Sequence, residues 1–164
     1  MSFKRILFFV FMFALTSGYI EIGAQGRQLN PSETTILESR LEGADYVVRA
    51  KVVDIKKIAT SKSISEHNPD WHLATLKIES VLFAKRSVVI FDRKNEMNIY
   101  FPASNDVAWT EWPKFTKGQK GIWILYYTKN QVLKDINPNA KVVSNEFDYQ
   151  PISLEKEIRK LLKK

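Results

Sequence analysis

The sequence predicts a mainly β domain: a small antiparallel β-barrel with a short helix before it and an amphipathic helix after it. Three observations carry this expectation. Apolar and polar residues alternate through Tyr46–Ile55 and again from Trp71, the period-two signature of strands with one buried face. Ile122-Trp123-Ile124-Leu125-Tyr126-Tyr127 is an unbroken apolar and aromatic run, which reads as a central strand buried on both faces. The strands are short, separated by polar turns and lack a βαβ rhythm, which points to a barrel or sandwich. Closure would protect the edges of strands this apolar.

In chain order, Asn30-Pro31-Ser32-Glu33 is a helix start. Asn caps, Pro suits the first helical position, and Glu reaches back to the cap N–H. Ile36, Leu37 and Leu41 fall on one face, Leu29 is placed as a staple, and Gly43 is a natural stop. The helix is expected over 31–42. The first strand puts Tyr46, Val48, Ala50 and Val52 on the core face, with Arg49, Lys51 and Asp54 exposed. Residues 56–70 read as a connecting loop. The second strand runs from Trp71 to Phe83, with Ala74, Leu76 and Ile78 inward. Its alternation breaks near Glu79-Ser80, so a bulge is expected there, turning Val81, Leu82 and Phe83 into the core.

Shorter strands are expected at Ser87–Phe91 and Met97–Phe101, then an irregular stretch over 102–112, then the central strand after the turn at 113–121. Residues 128–140 read as loop with a brief strand at 131–133, and Lys141-Val142-Val143 as another short strand. Ser153 is expected to cap the last helix, with Leu154, Ile158, Leu161 and Leu162 on one face.

The first residues have the three-part layout of a secretory signal peptide. Lys4 and Arg5 precede ten uncharged apolar residues, Ile6–Leu15, and small residues follow. Ten residues are too few for a permanent span, which needs about 20. The expected organisation is a leader over 1–24, cleaved after Ala24 (Gly18 being the alternative), and one domain over 25–164. Cleavage there removes two cations and one anion, taking the net charge from +7 to +6. A positive domain favours anionic partners without specifying one. The chain has no cysteine, which excludes disulfides, thiol catalysis and cysteine-held metals. A secreted or periplasmic location follows as the expectation.

Ala44–Val52, Thr75–Leu82 and Phe115–Leu125 together resemble small secreted bacterial domains of uncharacterised function. The resemblance covers about residues 29–164. It implies an OB-like barrel, similar with its two helices to the netrin-like domain of tissue inhibitors of metalloproteinases. Those inhibitors are similar to one another in chelating a protease zinc through an N-terminal cysteine. With no cysteine in this sequence, that mechanism does not carry over, and fold-level likeness alone assigns no function.

Candidate chemistry gathers in two places. Trp109, Trp112 and Phe115, with Lys114, Lys117 and Lys120, form the expected binding residues. Aromatic faces stack on rings, and lysines attract phosphate or carboxylate groups. The competing reading makes Phe115 and one Trp a plug for the barrel end. Glu66-His67-Asn68-Pro69-Asp70-Trp71-His72 gathers both histidines with carboxylates, but across a Pro-containing loop rather than at i, i+4 on a helix. Neither Ser61, Ser63 and Ser65 near His67 nor Asp92, Glu96, Asp106 and Glu111 carry a catalytic signature. No catalytic residue, metal or cofactor is expected. The leading expectation is a non-enzymatic module that binds another envelope or extracellular protein. The alternatives are an anionic polymer or glycan held by the Trp/Lys surface, and a hydrolase using His67 and His72. Nucleic acid is disfavoured because the leader directs the chain out of the cytoplasm.

Overall fold

The computed structural model describes residues 28–59, 67–85 and 95–164. The expected leader, the strand at Ser87–Phe91 and Ser61, Ser63, Ser65, Glu66 and Asp92 lie outside the described residues.

Helix α1, Pro31–Gly43, begins as the sequence dictates. Glu33 N–H donates to Asn30 Oδ1 at 2.8 Å and Asn30 N–H to Glu33 Oε2 at 3.0 Å, a reciprocal capping box. Its buried face is narrower than expected: Leu37 and Leu41 are buried, whereas Ile36 is 40% exposed.

Among the described residues six strands follow: β1 (Tyr46–Lys57), β2 (Trp71–Ala84), β3 (Glu96–Pro102), β4 (Lys120–Tyr127), β5 (Lys141–Val142) and β6 (Tyr149–Gln150). The first five close a barrel in the order β1-β2-β3-β5-β4, with β4 returning to β1. β6 adds to the side of β4. Four of the ring pairings are antiparallel, and β3–β5 is parallel. An entirely antiparallel ring was the expectation. Five strands cannot alternate direction all the way round, so one neighbouring pair must run the same way.

The register of β1 on β2 slips where the alternation broke. Arg49 faces Ser80 and Ala50 faces Ile78, leaving Glu79 as the extra residue. Such a bulge re-aims the strand beyond it. Leu82 and Phe83 then pack on the core layer between the sheet and the helices, in keeping with the expected turn inward, whereas Val81 is 37% exposed and does not follow them. Arg49 secures the bulge to the last helix, α3 (Glu155–Leu161): its Nη1 donates to Glu155 Oε2 at 2.9 Å, and its Nε lies 3.2 Å from Glu79 Oε2. Hydrogen bonding from Arg159, joined by Arg49, holds the Glu155 carboxyl below its usual range.

Strand β4 is buried on both faces, as its sequence predicts. Trp123 and Leu125 fill the barrel with Val48, Val52, Leu76, Ile99 and Phe101. Ile122 and Ile124 face the other way, under α1 and α3, against Leu37, Leu41, Leu154 and Ile158. A third apolar group, Trp71, Tyr100, Leu133, Ala140 and Val142, lies beside β5.

Two local expectations are corrected. Residues 131–133 belong to a short helix, α2 (Gln131–Ile136), because Asn130 Oδ1 caps Leu133 N–H and Leu133 is fully buried. Ser153 does not cap α3; a 3-10 turn over Ile152–Leu154 leads directly into it, and no side chain caps the helix. Among the described residues no helix is long and apolar enough to cross a membrane.

One polar node ties these layers together. Asp148 is fully buried and Arg40, from α1, meets it with Nε and Nη2 at 2.8 and 2.7 Å. Ser144 N–H and Asn145 N–H donate to the same carboxylate at 2.7 and 3.0 Å. Burial opposes the Arg40 charge, but Asp148 more than compensates and the guanidinium pKa is raised. Removing one member strands a buried charge, so Arg40→Ala or Asp148→Ala is expected to cost about 3–5 kcal/mol in urea unfolding. The double variant should cost clearly less than the sum of the two.

Gly121 marks a second fixed point. A Cβ there would overlap the Tyr149 ring and sit 2.8 Å from the Gln150 carbonyl, because β6 pairs beside β4 with the Tyr149 ring against this residue. Gly121→Ala is therefore expected to lower stability by about 1–3 kcal/mol, again read by urea unfolding, with the loss of β6 packing as its cause.

Candidate functional site

The sequence-named residues separate into three environments. Phe115 is buried in the barrel, with its ring centroid 5.0 Å from Phe101, 6.3 Å from Trp123 and 6.1 Å from Tyr149. It plugs the core and presents no face to a ligand. Lys114 is a surface brace: its Nζ donates to the carbonyls of Pro102 and Trp109 at 2.6 and 3.0 Å. Burial lowers its pKa. Lys117 and Lys120 are exposed beside the turn that enters β4. That turn is fixed by Gly118, whose φ of 91° favours glycine and whose N–H donates to Val52 at 2.8 Å.

Trp109 and Trp112 join Trp71 in a knot of edge-to-face rings, with centroids 5.4–6.1 Å apart. Such geometry suits the aromatic quadrupole. Trp71, at the start of β2, is buried, and the other two are partly exposed. Trp109 Nε1 donates to the His67 carbonyl at 3.0 Å. The His67 Nδ1 lies 2.9 Å from both Asp106 carboxylate oxygens. His67, Asp106 and Trp109 thus latch the end of the β1–β2 connection onto the 3-10 turn Val107–Trp109.

The two histidines do not converge on a reaction centre. His67 engages Asp106, whereas the His72 Nδ1 is 2.9 Å from the Asp70 carbonyl. Among the described residues no group of three or more His, Asp or Glu side chains could hold a metal ion.

Trp112 also opens onto a cleft of about 600 Å³ that sequence reasoning did not find. Its walls are Trp71, Trp112, Tyr126, Tyr127 and Val142; its charged groups are Arg40, Lys85, Lys129 and Asp45; Thr128, Asn130 and Ser144 supply neutral polar atoms. The volume is typical of a small-molecule site.

Hydrogen bonds and ring contacts tie the cleft walls to the fold. The Tyr126 hydroxyl donates to the Arg40 carbonyl at 2.7 Å, and the Arg40 guanidinium stacks 4.6 Å from the Tyr126 ring centre. Burial, then the Asp148 charge, drives the Tyr126 pKa upward, so this phenol stays protonated. Asp45 Oδ2 accepts from Tyr127 N–H at 2.9 Å. On its other side, Tyr127 bonds hydroxyl to hydroxyl with Tyr46 at 2.9 Å. Lys141 sits over both those rings, 5.3 and 5.4 Å from their centres, a cation–π arrangement. Burial lowers the Lys141 pKa, partly offset by Tyr127 and Asp45.

Lys85 and Lys129 are the exposed cations of the cleft. They follow β2 and β4, 44 positions apart in sequence, and Arg40 comes from α1. Nothing in local sequence joins these three. The one available signal was the Tyr pair that ends β4, since a strand buried on both faces finishes there with two polar-tipped rings.

Hydrogen bonding from His67, then from Ala108 N–H, lowers the Asp106 pKa. A depressed carboxyl contributes stability above its unfolded value, about 3.9, and loses it as pH falls through the lower folded value. The Asp106 carboxyl carbon should therefore titrate by NMR with a midpoint below that of a free aspartate. Asp106→Asn is expected to leave the latch weakened at neutral pH, seen as greater iodide quenching of tryptophan fluorescence. No protein-family model matches the chain, and no curated protein matches it either.

Proposed function

We propose that the domain is a non-enzymatic binding module that takes an anionic polymer or glycan at the Trp112–Tyr127 cleft. The carrying observation is the cleft itself: aromatic walls, two exposed lysines and the Asp148-paired Arg40 beside one carboxylate, and a small-molecule volume. Aromatic faces cover the apolar face of a ring, while lysines on the rim attract and orient a negative group. Trp112 belongs to both the sequence-named set and the cleft. Lys85, Lys129 and Arg40 replace Lys114, Lys117 and Lys120 as the cations of this reading, because Lys114 braces the Trp109 turn and the other two stand at the opposite end of β4.

A protein partner has less support. The large apolar residues exposed among the described positions, Ile36, Val81, Val107, Ile136 and Ile152, lie on five different elements, and none of them lines the cleft. A hydrolase reading through His67 and His72 has less still, because the two Nδ1 atoms engage different partners, Asp106 and the Asp70 carbonyl, and the histidines do not meet.

Calorimetric titration with heparin and with polygalacturonate tests the proposal. Binding should weaken steeply between about 50 and about 200 mM salt. Lys85→Ala and Lys129→Ala should each reduce affinity about tenfold, a loss of about 1.4 kcal/mol, while Lys117→Ala changes little. Salt-independent binding, or a loss confined to Lys117→Ala, would move the site away from the cleft and refute this assignment.

A further inference from the structure

We infer that the cleft recognises a single acidic sugar residue, seated at the end of a chain or free, rather than an internal run of a polyanion. This inference rests on the binding reading above and adds the ligand class.

The charge in the cleft is small once its pairings are counted. Arg40 commits Nε and Nη2 to the buried Asp148 carboxylate. Lys85 and Lys129 remain as exposed cations, and Asp45 opposes them from the same wall. A site for a polyanion extends a cationic track along its backbone. Here the two exposed cations follow separate strands around one concave space, and a carboxylate lies in the same lining. That carboxylate repels a second phosphate or sulfate, but it is a strong acceptor for a hydroxyl.

The neutral groups fit the same ligand. Asn130 uses its Oδ1 on Leu133 N–H at 3.2 Å, so the donor end of its amide is the end available to a ligand. Ring faces, two exposed cations, a carboxylate acceptor and the Asn130 amide donor match a pyranose bearing one carboxylate or sulfate. A space of about 600 Å³ lies in the range that encloses small ligands. A longer chain would have to leave the cleft after its first residues.

The test uses the whole chain and isothermal titration at low salt. The ligands are glucuronate, galacturonate, N-acetylneuraminate and N-acetylglucosamine 6-sulfate, with galactose, adenosine monophosphate and galacturonate oligomers of increasing length as comparisons. At least one acidic monosaccharide should bind and its neutral counterpart should not. Affinity should level off by the dimer or trimer. Lys85→Ala and Lys129→Ala, both exposed positions, should each weaken that binding by about tenfold. Affinity that climbs steadily with oligomer length, with no monosaccharide binding, overturns this inference but leaves the anionic-polymer reading standing. Adenosine monophosphate binding more tightly than every acidic sugar overturns the sugar assignment. If nothing in the panel binds, and heparin and polygalacturonate also fail, both readings fall together.

Discussion

A carboxylate buried as completely as that of Asp148 survives only with a full set of donors. It receives two from the Arg40 guanidinium and two from the backbone of Ser144 and Asn145. The consequences run through the molecule. Arg40 fixes the end of α1 against the 144–148 segment. That segment leads into β6, and β6 pairs beside β4 with the Tyr149 ring against Gly121. The Tyr126 hydroxyl also reaches both Arg40 and Asp148. Helix, central strand and the cleft wall therefore share one electrostatic anchor. In a chain without cysteine, such a node does the cross-linking that a disulfide could otherwise supply.

The barrel imposes the second constraint. Closing five strands forces one parallel pair, and the chain meets it with a two-residue strand, β5. A strand so short contributes few ladder bonds. Its position is held from outside, by Leu133 and Trp71 against Val142 and by the Lys141 ammonium over Tyr46 and Tyr127. Of these, Trp71, Tyr127 and Val142 also border the cleft. The weakest seam of the barrel and the candidate binding face are thus adjacent, and the Trp71–Trp109–Trp112 knot covers the seam.

That adjacency explains why the Trp/Lys stretch looked functional from sequence and is only partly so in space. Phe115 and Lys114 are committed to the barrel interior and to the Trp109 turn, respectively. Trp112 alone has a side on the cleft. The cations facing it, Lys85, Lys129 and Arg40, are ordinary surface-type residues in their own stretches.

By itself the sequence determined the elements whose information is local. The Asn30/Glu33 capping box, the alternation of β1 and β2, the bulge at Glu79 and the doubly buried β4 all follow from residues within a few positions of each other. Short-range hydrogen bonds and burial periodicity act at that distance. Where the local signal was thin, as at 131–133, a single cap and one buried leucine produced a helix instead of a strand. Only the tertiary structure decided the rest. The Arg40–Asp148 pair spans 108 positions, the parallel β3–β5 seam arises from ring closure, and the cleft collects residues from 40 to 144. Each depends on long-range packing, to which any one stretch contributes a side chain whose partner it cannot specify.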